Sequence, residues 1–283
     1  MQAMPDILAF QDESGDFGHG EWVSLGVLWV QREDVASLGA ALRELRADHA
    51  GEVHFYRFPR NFGGDYGAAA RTAQAWFERW RDTWARRTWF SVLAINRRHL
   101  RYDRARFARP ADAYPHFAAW AVRRGLAAFF GDHEAIRFEM VCDARSGDGS
   151  DGAEASVLSR LAAAIDNAVS DAASHGDAAP RLAPTDVAVR SSGAHAAGGL
   201  FSAEQELLQL TDLLLGAVST AIFPRTVAAT KLWFAREMAC VIQPARQSAR
   251  PDAPDVRGRV LVDYYPDPRG QLYRDGPLGI WDA

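Results

Sequence analysis

Three aspartates stand where an ordinary surface role explains them poorly. Asp12 stands just past the C-terminal end of a β-rich run, residues 7–11, and Asp143 just past a second, strongly apolar run, residues 136–142. Open α/β sheets keep their sites at such strand ends, so two strands can deliver two acids to one place. Asp212 interrupts an almost wholly apolar helical run, residues 207–215. On the same helical face Gln209 lies at i−3, Gln205 at i−7 and Gly216 at i+4, a narrow polar stripe on a leucine helix.

Carboxylates gathered in one site repel: two unit charges about 4 Å apart cost roughly 4 kcal/mol at an effective dielectric near 20. Either one acid stays protonated, or a hard cation is bound. Oxygen-only ligands favour Mg²⁺ or Mn²⁺ over Zn²⁺. Such an ion polarises a phosphoryl oxygen and activates water, so the expected chemistry is phosphodiester hydrolysis.

The segment Phe10-Gln11-Asp12-Glu13-Ser14-Gly15, taken with Leu208-Gln209-Leu210-Thr211-Asp212-Leu213-Leu214-Leu215-Gly216, resembles the paired end motifs of the DUF3800 family. That family carries "DESG" after a strand and "QLADLL-G" on a helix. Glu52-Val53-His54-Phe55 and Val141-Cys142-Asp143 fall where it has intermediate acidic motifs. One position departs, since His54 stands where an "E-x-K" pattern has lysine. The resemblance implies a ribonuclease H-like fold and a nuclease-like metal site at Asp12, Asp143 and Asp212, with Glu13 as a further ligand and Glu52 as a further acid.

Around these acids, Ser14 is a candidate phosphate donor, and Gln209 a candidate to orient Asp212 or contact substrate. Strand alternation points Glu13 away from Asp12. His54 and His195 are candidates for proton transfer. Glu204 and Glu206 are explained as first-turn acids on the helix dipole. Between Glu78 and Arg109 ten arginines face three acids, a local excess of +7 within a chain of net charge −4. Trp80, Trp84, Trp89 and Tyr102 are interleaved with them, so Arg97 and Arg98 could meet phosphates while the rings stack bases. The same pattern also describes an amphipathic surface helix. Lys231 is the only lysine, which points to coding bias.

The elements that must position these residues follow from periodicity and turn signals. Residues 7–11 and 22–30 form an antiparallel hairpin across a Gly- and Asp-rich turn. Helix is expected at 33–49, an extended piece at 52–58, helix at 65–86, strand at 89–95, helix at 115–130 and strand at 136–142. A glycine-rich loop at 146–152 is followed by helix at 153–173, a strand at 186–190 and helices at 202–222 and 228–242. Ser202 and Gln205 form a capping box at the start of the long apolar helix. A hairpin followed by alternating α and β elements predicts a mixed sheet flanked by helices.

The 283 residues, 48% hydrophobic, suit one large α/β domain over 1–243, with a Pro/Arg-rich linker and an apolar tail over 244–283. No run approaches the ~18 apolar residues of a membrane span, and a secretory signal pattern is absent, so the expectation is a soluble, cytoplasmic chain with no membrane partner. Cys142 and Cys240 are expected as buried, reduced thiols. A haloacid-dehalogenase phosphatase needs a second aspartate where Ser14 stands. The rival expectation is an inactive ribonuclease H-like scaffold binding nucleic acid or a protein partner.

Overall fold

The computed structural model describes residues 4–46, 49–64, 67–107, 109–143, 151–174, 181–182, 186–190, 200–224, 226–242 and 259–265. The expected hairpin forms: β1 (Asp6–Ser14) pairs antiparallel with β2 (Trp22–Gln31), and β2 with β3 (Thr88–Asn96). β4 (Ala135–Asp143) joins the free side of β1 in parallel. Two short strands, β5 (Arg181–Leu182) and β6 (Asp186–Arg190), continue that side, both parallel to β4. The final strand, β7 (Val260–Tyr265), lies parallel to β3. The result is a seven-stranded mixed sheet, in which β1 is central and β7 closes one edge.

Alternation along β1 and β2 divides the core in two. Leu8, Phe10, Leu28 and Val30 join α1 (Arg32–Glu44), α2 (Ala68–Asp82), α5 (Ala203–Ile222) and α6 (Ala229–Ile242) on one face. Ile7, Ala9, Val27 and Trp29 join α3 (Pro110–Phe130) and α4 (Asp151–Ser174) on the other. Helices thus cover both faces of the sheet, the three-layer arrangement by which a mixed sheet buries both its apolar sides. Among the described residues no helix is long and apolar enough to cross a membrane.

Several expected boundaries shift for identifiable reasons. Pro115 is expected to open α3, but Pro110 opens it earlier, in the first turn, where a missing N–H costs nothing. Residues 52–58 are not extended throughout: Phe55–Arg57 make a 3-10 turn between extended His54 and Phe58. The apolar C-terminal segment, expected as a tail, is strand β7 of the main sheet. Strands β1 and β4 run further than expected, so Asp12 lies within β1 and Asp143 ends β4, neither standing past its strand. Cys142 is buried as expected, but Cys240 is exposed. The glycine-rich loop at 146–152 falls almost entirely, and His195 entirely, outside the described residues.

The aromatic rings of the arginine-rich stretch are not a base-stacking surface. Trp80 and Trp84 are buried in the core beneath α5, and Tyr102 in the core beneath α3. Trp89 packs against that second core. Several of the arginines are neutralised locally: Arg81 by Asp82 and Glu237, Arg87 by Asp34, and Arg109 by Asp112. Burying tryptophan faces while arginines ring the rim satisfies the same periodic pattern, which is why the sequence alone leaves the two arrangements open.

Candidate active site

Helix α5 lies across β1 and β2 and carries Asp212. Its start is fixed as expected: the Ser202 hydroxyl accepts the Gln205 amide at 3.2 Å, and the Gln205 side chain accepts the Ser202 amide at 2.8 Å. From that anchored turn, Glu206 and Gln209 reach into a buried network with Arg46. The Arg46 guanidinium donates to Glu206 at 2.6 to 3.0 Å and to the Gln209 side-chain oxygen at 2.8 Å. It also donates to the Gly51 carbonyl at 2.6 Å and lies over the rings of Trp76 and Phe201. Glu206 is wholly buried; burial pushes its carboxyl upward, and the Arg46 guanidinium opposes that.

This network sets the loop that faces Asp212. The Gln209 oxygen that meets Arg46 also accepts the Val53 amide at 2.8 Å. Two residues on, the Phe55 amide and His54 Nδ1 both reach Asp212 Oδ2, at 2.7 and 2.8 Å. Gly216, one turn further along α5, allows the approach, because a side chain there would collide with the Phe55 ring. Gln209 itself is buried and, through the Val53 amide, positions the loop whose next residues meet Asp212.

A cavity of about 500 Å³ opens beside this arrangement. Its wall includes Glu13, Ser14, His54, Asp212, Ser219 and Lys231. Ser14 and Gly15 come from the end of β1, where Gly15 adopts φ +93° and a side chain would run into the Trp22 carbonyl. Lys231, from α6, donates to the Tyr56 carbonyl at 2.9 Å and lies 5.1 Å from the centre of the exposed Tyr56 ring. Burial pushes the Lys231 ammonium down, with nearby Asp212 opposing. The Ser219 hydroxyl is buried and has no hydrogen-bond partner among the described residues.

The other expected acids group differently. Gln11 faces α3, where its side-chain oxygen accepts the Tyr114 hydroxyl, so alternation turns Asp12 to the α5 face. Asp12 is half-buried and accepts the Glu13 amide at 2.8 Å. The pairing of Gln11 with Cys142 makes Asp12 and Asp143 the next residues on adjacent parallel strands. Two of the three aspartates thus share the carboxyl edge of the sheet, while Asp212 stands on the helix above it. Glu52 pairs with Arg57 at 3.2 Å, away from the cavity wall. Arg97 and Arg98 lie in the loop after β3 on the other side of the β1–β2 turn. Among the described residues no three His, Cys, Asp or Glu side chains are gathered to hold a metal ion.

The signal for Asp212 was plain, a charge in a leucine run. Glu206 had no such signal, because a first-turn acid has a sufficient explanation in the helix dipole. Lys231 was visible only as a singularity of composition. Comparison with protein-family models finds no match, and comparison with curated proteins finds none either.

Two outcomes test this geometry. Glu206→Gln leaves the Arg46 charge buried without its counter-ion, and unfolding in urea should reveal a loss of about 3–5 kcal/mol; an unchanged midpoint would contradict the clamp. The Asp212 hydrogen bond raises the His54 pKa above 6.5. A raised histidine pKa contributes stability fully below the unfolded value and loses it as pH rises through the folded one. The melting-temperature gap between the wild type and His54→Gln should therefore be widest in mild acid and shrink above neutrality; a gap independent of pH would refute the pairing.

Proposed function

We propose that this chain is a divalent-metal-dependent nuclease of the ribonuclease H-like, DUF3800 type, hydrolysing a phosphodiester bond of nucleic acid in the cavity beside Asp212. The observation that carries this reading is the meeting of Asp212, His54 and Lys231, from three separate elements, at the carboxyl edge of a mixed sheet. The strand order supports it: β1, β2 and β3 form an antiparallel meander, and β4 is added in parallel to β1. Sheet edges of this kind are where open α/β folds keep their chemistry.

Mg²⁺ or Mn²⁺ belongs to the proposal at Asp12 and Asp143, neighbours in register on β1 and β4, with Asp212 of α5 as the third acid; oxygen ligands suit either ion. Bound there, the ion would supply charge neutralisation at the phosphate and activation of water. The remaining work falls to the chain's own side chains. Lys231 meets phosphate charge. Asp212 holds His54 by Nδ1, which turns Nε2 to the substrate, and its carboxylate favours the imidazolium form. Attack of water at phosphorus forms one P–O bond and breaks another, and the departing oxygen takes the His54 proton. Tyr56, exposed at the rim, offers a ring for a base to stack on.

The test is cleavage of labelled single- and double-stranded DNA and RNA with Mg²⁺ or Mn²⁺. Metal-dependent cleavage should be lost in Asp12→Ala and Asp212→Ala, both remaining folded, and His54→Gln should lower the rate by about 10²–10⁴-fold. If the wild type cleaves none of these substrates with either metal, the reaction is wrong and a nucleic-acid-binding scaffold takes its place.

A further inference from the structure

A second cavity, of about 410 Å³, lies on the opposite side of the β1–β2 turn. Its wall joins His19 and the glycines of that turn to Arg97, Arg98, Tyr102 and Arg104 from the loop after β3. The pairing of Trp22 with Asn96 brings the turn and the loop to the same sheet edge as the Asp212 cavity. Residues 15 and 22 line the first cavity and residues 18–20 the second, so the turn is the ridge between them.

The lining carries an unbalanced set of donors. Arg97 Nη1 donates to the Gly20 carbonyl at 3.0 Å, which fixes the guanidinium against the turn. Its Nε and the Tyr102 hydroxyl are both buried without a well-formed hydrogen bond among the described residues, although the Arg97 guanidinium lies against that hydroxyl. Tyr102 is only 4% exposed. Arg98 meets Glu21 at a loose 3.4 Å, and among the described residues Arg104 bonds only the Arg98 carbonyl, at 3.5 Å. Asp16, on the same turn, is engaged by His19 at 2.8 Å and also feels the Arg97 charge. Buried donors without acceptors are rare in folded proteins. Three guanidinium groups and a phenol around one cavity suit a ligand that only accepts, and phosphate is such a ligand.

We infer that this cavity holds a backbone phosphate of the strand whose reacting phosphodiester occupies the Asp212 cavity, so that the substrate is a polynucleotide lying across the β1–β2 turn and not a mononucleotide. The inference rests on the proposed nuclease reading for the second phosphate, but its own binding step is separable from cleavage. Arg97 positions the turn as well as the ligand. Arg98, Arg104 and Tyr102 are the better probes, because the first two are exposed and Tyr102→Phe removes only a hydroxyl that lies against Arg97 without a well-formed hydrogen bond among the described residues.

The experiment measures binding of a fluorescein-labelled oligothymidylate of about 20 nucleotides, long enough for a single-strand groove, to full-length Asp212→Asn protein in Mg²⁺ over a range of salt. Adding Arg98→Gln and Arg104→Gln should weaken binding about tenfold or more and flatten the slope of log K against log salt by about 1.4, roughly 0.7 for each lost contact. Adding Tyr102→Phe alone should also weaken binding while leaving the melting temperature in place. Unchanged affinity and slope in the arginine variant, or no binding of the oligonucleotide at all, would overturn the inference. Absence of cleavage by the wild type, with these binding losses present, would instead overturn only the proposed reaction.

Discussion

The buried contact between Arg46 and Glu206 holds the site together. A charge pair taken out of water gains little stability in itself, because desolvation offsets most of the attraction, but removing one partner is severe. Its consequence here is geometric. The guanidinium reaches the Glu206 carboxylate, the Gln209 oxygen and the Gly51 carbonyl together. The loop after α1 is thereby tied to α5 at one point, and the register of the next residues follows. Val53 bonds Gln209, and His54 and Phe55 bond Asp212. Asp212 presents a carboxylate because a rigid loop, itself held by a buried charge, supplies its donors.

That arrangement divides labour along one helix. Gln205 and Ser202 fix where α5 begins, Glu206 and Gln209 fasten the loop, Asp212 takes the loop's donors, and Gly216 leaves room for Phe55. The polar stripe on an otherwise apolar helix is a series of different tasks at successive turns, of which Asp212 and Gly216 line the cavity. Across the sheet edge, the β1–β2 turn separates a mixed-charge cavity from a basic one, so the same strand ends serve two sides of one ridge.

Much of this architecture was legible in the sequence. The hairpin, the capped helix at 202–222 and the mixed sheet follow from turn residues, a capping box and changes of period, which are local signals. Asp212 was legible because an acid among leucines needs a partner. Long-range pairings had no local trace. Nothing near Arg46 announces Glu206, some 160 positions away, and Lys231 reaches the cavity only because α6 packs beside α5. The tryptophans of α2 and the following turn left two arrangements open for a related reason: alternating arginine and tryptophan specifies an amphipathic helix but not which side meets water. Strand β7 was missed because a six-residue, largely apolar segment after a Pro- and Arg-rich stretch carries no sign of the edge it joins.

The central claim is that the reacting phosphate lies at Asp212, His54 and Lys231. Diffraction from crystals soaked with Mn²⁺ and a phosphorothioate dinucleotide, recorded at the manganese edge, tests it most directly. The account predicts manganese at the Asp12 and Asp143 edge and a phosphorothioate group within reach of His54 Nε2 and Lys231 Nζ. Manganese and nucleotide bound elsewhere, with this cavity empty, would contradict it.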